Sequence, residues 1–111
     1  MSVYELHYYK SKSGDEPFTE WLESLDLQAQ VRISVRLDRV KLGNFGDSKL
    51  ISGGIYELRF TFGSGYRVYF GKVGKKIILL LTGGDKKTQS KDIQKVKIYW
   101  RTFLDENSMT T

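Results

Sequence analysis

The sequence predicts an α+β domain with elements in the order β-α-α-β-β-β-α and a mainly antiparallel sheet. Three observations carry that expectation. Residues 55–81 hold three runs that are apolar at every second position or throughout, separated by glycine-containing turns. Residues 17–42 and 88–105 instead repeat their apolar side chains at helical spacing. At 111 residues, 40% hydrophobic and 14% aromatic, the chain can build one cooperative core and not two.

Residues 3–9 alternate, with Tyr4, Leu6 and Tyr8 on one side and Val3, Glu5, His7 and Tyr9 on the other, as a half-buried strand does. A turn at Ser11–Asp15 follows. Asp15 is expected to cap a short helix that has Pro17 in its first turn and ends near Leu25. Asp26 opens a second helix. Leu27, Val31, Val35 and Leu42 form one apolar stripe on it, and Ile33, Leu37 and Val40 form another, so the helix is expected to be covered twice. Arg32, Arg36 and Arg39 lie between the stripes as a basic ridge open to water or to a partner. Gly43–Gly46 ends the helix.

In residues 55–62, Tyr56, Leu58, Phe60 and Phe62 are expected in the core, with Ile55, Glu57, Arg59 and Thr61 on a face that is not core. Gly63–Gly65 turns the chain into residues 66–73, where Tyr66, Val68 and Phe70 would be buried and Arg67 and Tyr69 exposed. After Gly74 and Lys75, the uniformly apolar Ile77–Leu81 reads as a central strand buried on both faces. The last helix, about 88–105, gathers Ile93, Val96, Tyr99, Trp100, Phe103 and Leu104 on one face and its lysines on the other. The expected organisation is one domain over residues 1–106 and a short polar tail over 107–111.

The absence of cysteine removes disulfides, thiolate chemistry and cysteine-based zinc sites, and fits a reducing compartment. The segment MSVYELHYYK lacks the basic-then-apolar pattern of a secretion signal, and the longest aliphatic run is five residues against the ~20 of a membrane helix. A cytoplasmic protein that does not engage a membrane is expected. His7 is the single histidine and reads as a surface strand residue; neither a triad spacing nor a metal-ligand cluster accompanies it, so no metal and no cofactor are expected. Gly63-Ser64-Gly65 and Gly83-Gly84-Asp85 match no phosphate-cradling pattern and read as tight turns.

The net charge is +5, and residues 86–101 alone carry that excess: Lys86, Lys87, Lys91, Lys95, Lys97 and Arg101 against Asp92. A localised basic surface suits a polyanion or an acidic protein, and equally a solvated helix face. The hairpin adds Glu57, Arg59, Arg67 and Tyr69. Two guanidiniums, a carboxylate and a phenol on one sheet face could bind a phosphodiester, stabilise a phosphorane and move protons during attack by a ribose 2′-OH. The same four residues could equally form a cross-strand ion-pair network over a solvated face.

Gly54-Ile55-Tyr56-Glu57-Leu58-Arg59, then Gly65-Tyr66-Arg67-Val68-Tyr69-Phe70, then Gly83-Gly84-Asp85-Lys86-Lys87 with Gln89 and Asp92-Ile93, resemble the RelE/ParE superfamily of bacterial toxins. The likeness spans nearly the whole chain and is greatest to the phage-derived, HigB-type addiction module killer proteins. It implies a compact single domain of RelE-like fold and a type II toxin that inhibits translation as a metal-independent, ribosome-dependent mRNA endoribonuclease. A helix-turn-helix antitoxin of the HigA or Xre type, the ribosome and mRNA are the implied partners. Arg67 falls where the family keeps an arginine on the scissile phosphate, and Arg59, Lys86 and Lys87 fall on neighbouring basic positions. Glu57 stands near a lysine position and Ile93 near a tyrosine position, which leaves the acid–base assignment open between Glu57, Asp47 and Tyr69. Arg32, Arg36, Arg39, Lys86, Lys91 and Lys95 would grip ribosomal RNA. The superfamily also contains poisons of DNA gyrase, and a catalytically inert antitoxin-binding module is the third reading.

Overall fold

The computed structural model describes residues 3–108. They form β1 (Glu5–Tyr8), α1 (Pro17–Glu23), α2 (Leu27–Lys41), β2 (Ser48–Ser52), β3 (Ile55–Arg59), β4 (Arg67–Val73), β5 (Ile77–Gly84) and α3 (Gln89–Ser108). The five strands make one mixed sheet in the order β1-β5-β4-β3-β2, with β1 parallel to β5 and every other neighbour antiparallel. This is the expected α+β domain, consistent with a RelE-like fold, with one strand more than the sequence pattern revealed. The extra strand is β2. Its residues SKLIS lie at the sheet edge, mostly exposed, so no apolar alternation marks them.

Both faces of the sheet are covered. Phe18 of α1 and Ile33, Leu37 and Val40 of α2 bury one face with Leu58, Val68, Phe70, Ile78 and Leu80. Val96 and Trp100 of α3 bury the other with Tyr9, Ile55, Tyr69, Leu79 and Leu81. Alternate residues of β5 thus serve opposite cores, which is why the run is apolar throughout. The same fact corrects the hairpin reading. Glu57 and Tyr69 do not face water; α3 covers them, at 2% and 0% exposure. The strand also stops at Arg59, while Phe60 and Phe62 continue into the core region as irregular chain.

The helices differ from expectation at their edges. Glu16, not Asp15, occupies the α1 N-cap and makes no side-chain cap; Asp15 belongs to the preceding turn, where its carboxylate accepts from Ser13 at 3.0 Å. Asp26 does cap α2, accepting the Ala29 N–H at 2.8 Å. Only one of the two α2 stripes is buried: Leu27, Val31, Val35 and Leu42 are 46–75% exposed. On α3, Leu104 is likewise exposed, and the helix runs to Ser108, past Glu106. Of the expected polar tail, residues 109–111 lie outside the described residues.

Gly83 and Gly84 are not a turn. They end β5 with ordinary backbone angles, and what they supply is space: a Cβ at Gly83 would fall inside the Trp21 ring, and one at Gly84 inside the Asp92 carboxylate. Gly63 and Gly65, by contrast, hold φ of 62° and 78° and make the β3–β4 turn as expected.

Candidate functional site

Arg67 opens β4 directly across from Arg59, and Glu57 lies two positions further into the sheet, opposite Tyr69. The diagonal between the strands brings Arg67 Nε to 3.4 Å from Glu57 Oε2. The guanidinium is held a second time, Nη1 donating to the Gly65 carbonyl at 2.9 Å. Glu57 Oε2 also accepts from Gln89 Nε2 at 2.8 Å, so the first turn of α3 is tied to the centre of the sheet. A carboxylate this deep is tolerable only with such partners.

Behind the pair, the Tyr69 hydroxyl is buried without a well-formed hydrogen bond. Burial and the nearby Glu57 charge hold its ionisation well above the ordinary tyrosine range. It stays a neutral phenol.

The β5–α3 connection is built from Asp85 and Thr88. One Asp85 carboxylate oxygen accepts the Lys87 and Thr88 N–H groups at 2.9 and 3.1 Å, and the other accepts from the Ser64 hydroxyl at 3.1 Å. Slight desolvation raises the Asp85 pKa, but these donors outweigh it and leave the carboxyl below its ordinary value. Thr88 Oγ1 in turn donates to the buried Asp92 carboxylate at 2.5 Å, into the space that Gly84 leaves free. The loop is thereby locked against the β3–β4 turn, and it carries exposed Lys86 and Lys87 to the side of Arg67. A Cβ at Gly65 would stand 3.4 Å from Lys86 Cβ and 3.5 Å from Arg67 Nη1, so Lys86 and Arg67 both approach Gly65.

The remaining basic positions separate. Lys91 and Lys95 are exposed on α3, Lys95 on the side that borders α1. Arg59 is drawn to the β2 side, where Asp47 Oδ1 accepts from its Nη2 at 3.0 Å, so it forms no network with Glu57. The base candidate Asp47 is therefore occupied. Arg36 is not part of an open ridge: its guanidinium donates to the Phe45 and Asp47 carbonyls at 3.0 and 2.8 Å and to the Arg59 carbonyl, and it lies over the Phe60 ring. Arg32 stacks on Phe62 with 3.9 Å to the ring centroid, and Arg39 is exposed. His7 is a surface strand residue 3.5 Å from Glu5. Ile93 is half-buried on the α3 core face, as its spacing required.

A cleft of about 490 Å³ separates α1 from α3 above the end of β5. Asp15, Glu20 and Asp92 line it against Lys95 alone, which disfavours a phosphate there. The exposed Lys86 and Lys87 lie in the β5–α3 connection, outside this acidic cleft. Among the described residues no helix is long and apolar enough to cross a membrane.

Residues 20–101, which include all of this geometry from Glu57 to Asp92, match the family model described as Phage derived protein Gp49-like (DUF891). The chain belongs to the Gp49-like family. An uncharacterized protein of Haemophilus influenzae (strain ATCC 51907 / DSM 11121 / KW20 / Rd) is 46% identical over 82 residues, 73% of this chain and 83% of that protein. Gp49-like proteins are linked with toxin–antitoxin modules. Two features of this Gp49-like chain carry no local sequence signal for the role they play. Gln89 sits 32 residues from Glu57 with no periodicity connecting them, and Gly83-Gly84 reads locally as a turn.

Proposed function

We propose that this chain is the toxin of a type II toxin–antitoxin pair and a ribosome-dependent mRNA endoribonuclease. The observation that carries the reading is the approach of Arg67 and Lys86 to one point beside Gly65, with Arg67 held by Glu57 and the Gly65 carbonyl and exposed Lys87 next in the same loop. Attack by a ribose 2′-OH forms an O2′–P bond as its proton passes to water, breaks the P–O5′ bond as O5′ takes a proton from water, and gathers negative charge on the phosphorane between those events. A guanidinium already oriented by its neighbours meets that charge without reorganising. Lys86 and Lys87 add ammonium groups that draw the phosphodiester in and neutralise the leaving side. Glu57 and Tyr69, both buried, are positioning residues: the carboxylate holds Arg67, and the phenol fills the space behind it. Lys91 and Lys95 extend the basic surface along α3 toward ribosomal RNA.

The depth of Glu57 also favours a second reading, an inert module that only binds its antitoxin, because among the described residues no carboxylate stands free beside Arg67. Primer extension on a reporter mRNA in a purified translation system separates the two. Cuts that require ribosomes, vanish with Arg67→Ala and weaken with the exposed Lys86→Ala/Lys87→Ala pair are expected, with circular dichroism confirming that each variant is folded. A folded wild-type chain that makes no cuts overturns the nuclease reading and directs the next assay to gyrase supercoiling.

A further inference from the structure

The α2 stripe that lacks cover has a definite geometry. Leu27, Val31 and Val35 follow each other at every fourth position, each at least 46% exposed, with Leu42 beyond them at the helix end. Among the described residues, four of the nine exposed large apolar side chains thus lie along one helix, whereas single exposed ones elsewhere need no explanation. Beside the row runs a groove of about 470 Å³, floored by Val31, Val35, Phe60 and Phe62. Its rim is arginine. Arg32, Arg39 and Arg59 border it against the single carboxylate of Asp47.

We propose that this outer face of α2 is the docking surface for an acidic amphipathic helix of the antitoxin. The partner's identity rests on the toxin–antitoxin reading; its chemistry rests on this surface. Aliphatic residues four apart on the occupant would seat in the groove and along the Leu27–Val31–Val35 row, ridge against ridge. Aspartates and glutamates flanking them would meet Arg32 and Arg39. RNA fits poorly, because a phosphodiester gains nothing from desolvating leucine and valine. A second copy fits poorly as well, since a two-fold contact through this face would set arginines against arginines. The α2 row packs on the sheet face opposite α3, and Arg59 at the groove's rim, although across the strands from Arg67, turns its side chain to Asp47, so substitutions on the Leu27–Val31–Val35 row are separable from the Arg67–Glu57 pair.

The test is calorimetric titration of the full chain with the purified product of the reading frame adjacent to its gene. Val31→Glu/Val35→Glu, both on exposed positions, is expected to weaken binding at least a hundredfold. Arg39→Glu should weaken it about tenfold and flatten its salt dependence, while Arg67→Ala binds within twofold of wild type. Wild-type affinity in both α2 variants overturns the proposal. So does a double variant that keeps the antitoxin but loses ribosome association, which assigns the face to RNA, or one that changes only the oligomeric state, which assigns it to a second copy. A wild-type chain that forms no complex at all overturns the partner reading together with it.

Discussion

Arg67 Nε and Glu57 Oε2 stand 3.4 Å apart on a cross-strand diagonal, with the two side chains only 13% and 3% exposed. A pair this deep couples the sheet to the helix above it, because Gln89 on α3 shares the same carboxylate oxygen.

Removing one member leaves the other charge buried without its partner, which costs far more than the pair itself contributes. Glu57→Ala is expected to lower stability by about 3–5 kcal/mol. The double change Glu57→Leu/Arg67→Met should lose less than either single change. Urea denaturation of Glu57→Leu, Arg67→Met and the double variant checks this, and a double loss equal to the sum of the two single losses would show that the ion pair is not coupled.

Tyr69 tests the same core from behind. Its hydroxyl lies beside the Glu57 carboxylate without a well-formed hydrogen bond, so Tyr69→Phe removes a poorly satisfied group and should change stability by no more than ~1 kcal/mol. Because its folded pKa is raised, the neutral phenol's contribution is complete below the ordinary value near ~10 and is lost as pH climbs past it. Wild type should therefore lose stability in strong alkali more steeply than Tyr69→Phe, measured by denaturation at successive pH values.

How much of this was legible in the sequence follows from what each signal depends on. The β3–β4 hairpin and β5 were readable because Leu58, Val68 and Leu80 alternate or cluster according to strand burial, and Asp26 capped α2 as its chemistry demands. The orientation of the second sheet face was not. Glu57 and Arg59 look alike in a period-two pattern, yet α3 covers one, and the other swings to Asp47. Edge strand β2 lacked an apolar period, and Gly83-Gly84 served side chains from α1 and α3 that no local window contains. Arg32, Arg36 and Arg39 share helical spacing, but tertiary carbonyls recruit Arg36 alone.

Arg36 supplies the third prediction. Its planar fork reaches three carbonyls from the segment 45–59 and rests on Phe60, so it clips the connection before β2 to α2. Arg36→Ala should cost about 2–4 kcal/mol, the non-additive loss of several charge-assisted hydrogen bonds. Arg36→Lys should recover less than half of it, since an ammonium cannot reproduce the fork. Thermal denaturation of the two variants decides this, and full recovery by lysine would reduce Arg36 to a point charge.

Asp85 sets the acid limit of the β5–α3 connection. Its folded pKa lies below the unfolded one, so the stability it contributes is present above the ordinary aspartate value and is lost as pH falls through the folded value. Asp85→Asn should remove part of the acid dependence below about pH 4 while also weakening the turn at neutral pH. Denaturation midpoints between pH 7 and pH 2 for wild type and variant should converge at the acid end; parallel curves would place the acid sensitivity elsewhere.

Gly84 gives the most local test, because its missing Cβ is where the Asp92 carboxylate sits and where Thr88 donates to it. Its backbone angles suit any residue, so alanine brings no conformational strain and acts through overlap alone. Moving Asp92 would displace the first turn of α3, the turn that carries Gln89 to Glu57. Gly84→Ala should therefore cost about 1–3 kcal/mol, the usual penalty of forcing extra volume into a packed site, and should loosen Arg67 as well. Hydrogen exchange should show faster exchange at the Asp92 amide, which bonds to the Thr88 carbonyl at 2.9 Å, with β1 unaffected. Gly74→Ala is the contrasting control: nothing lies within 4 Å of its Cβ, but its φ of 60° makes alanine costly through the backbone. That variant should destabilise the β4–β5 turn without changing exchange at Asp92, and a shared exchange response would mean that the two glycines act through global stability instead.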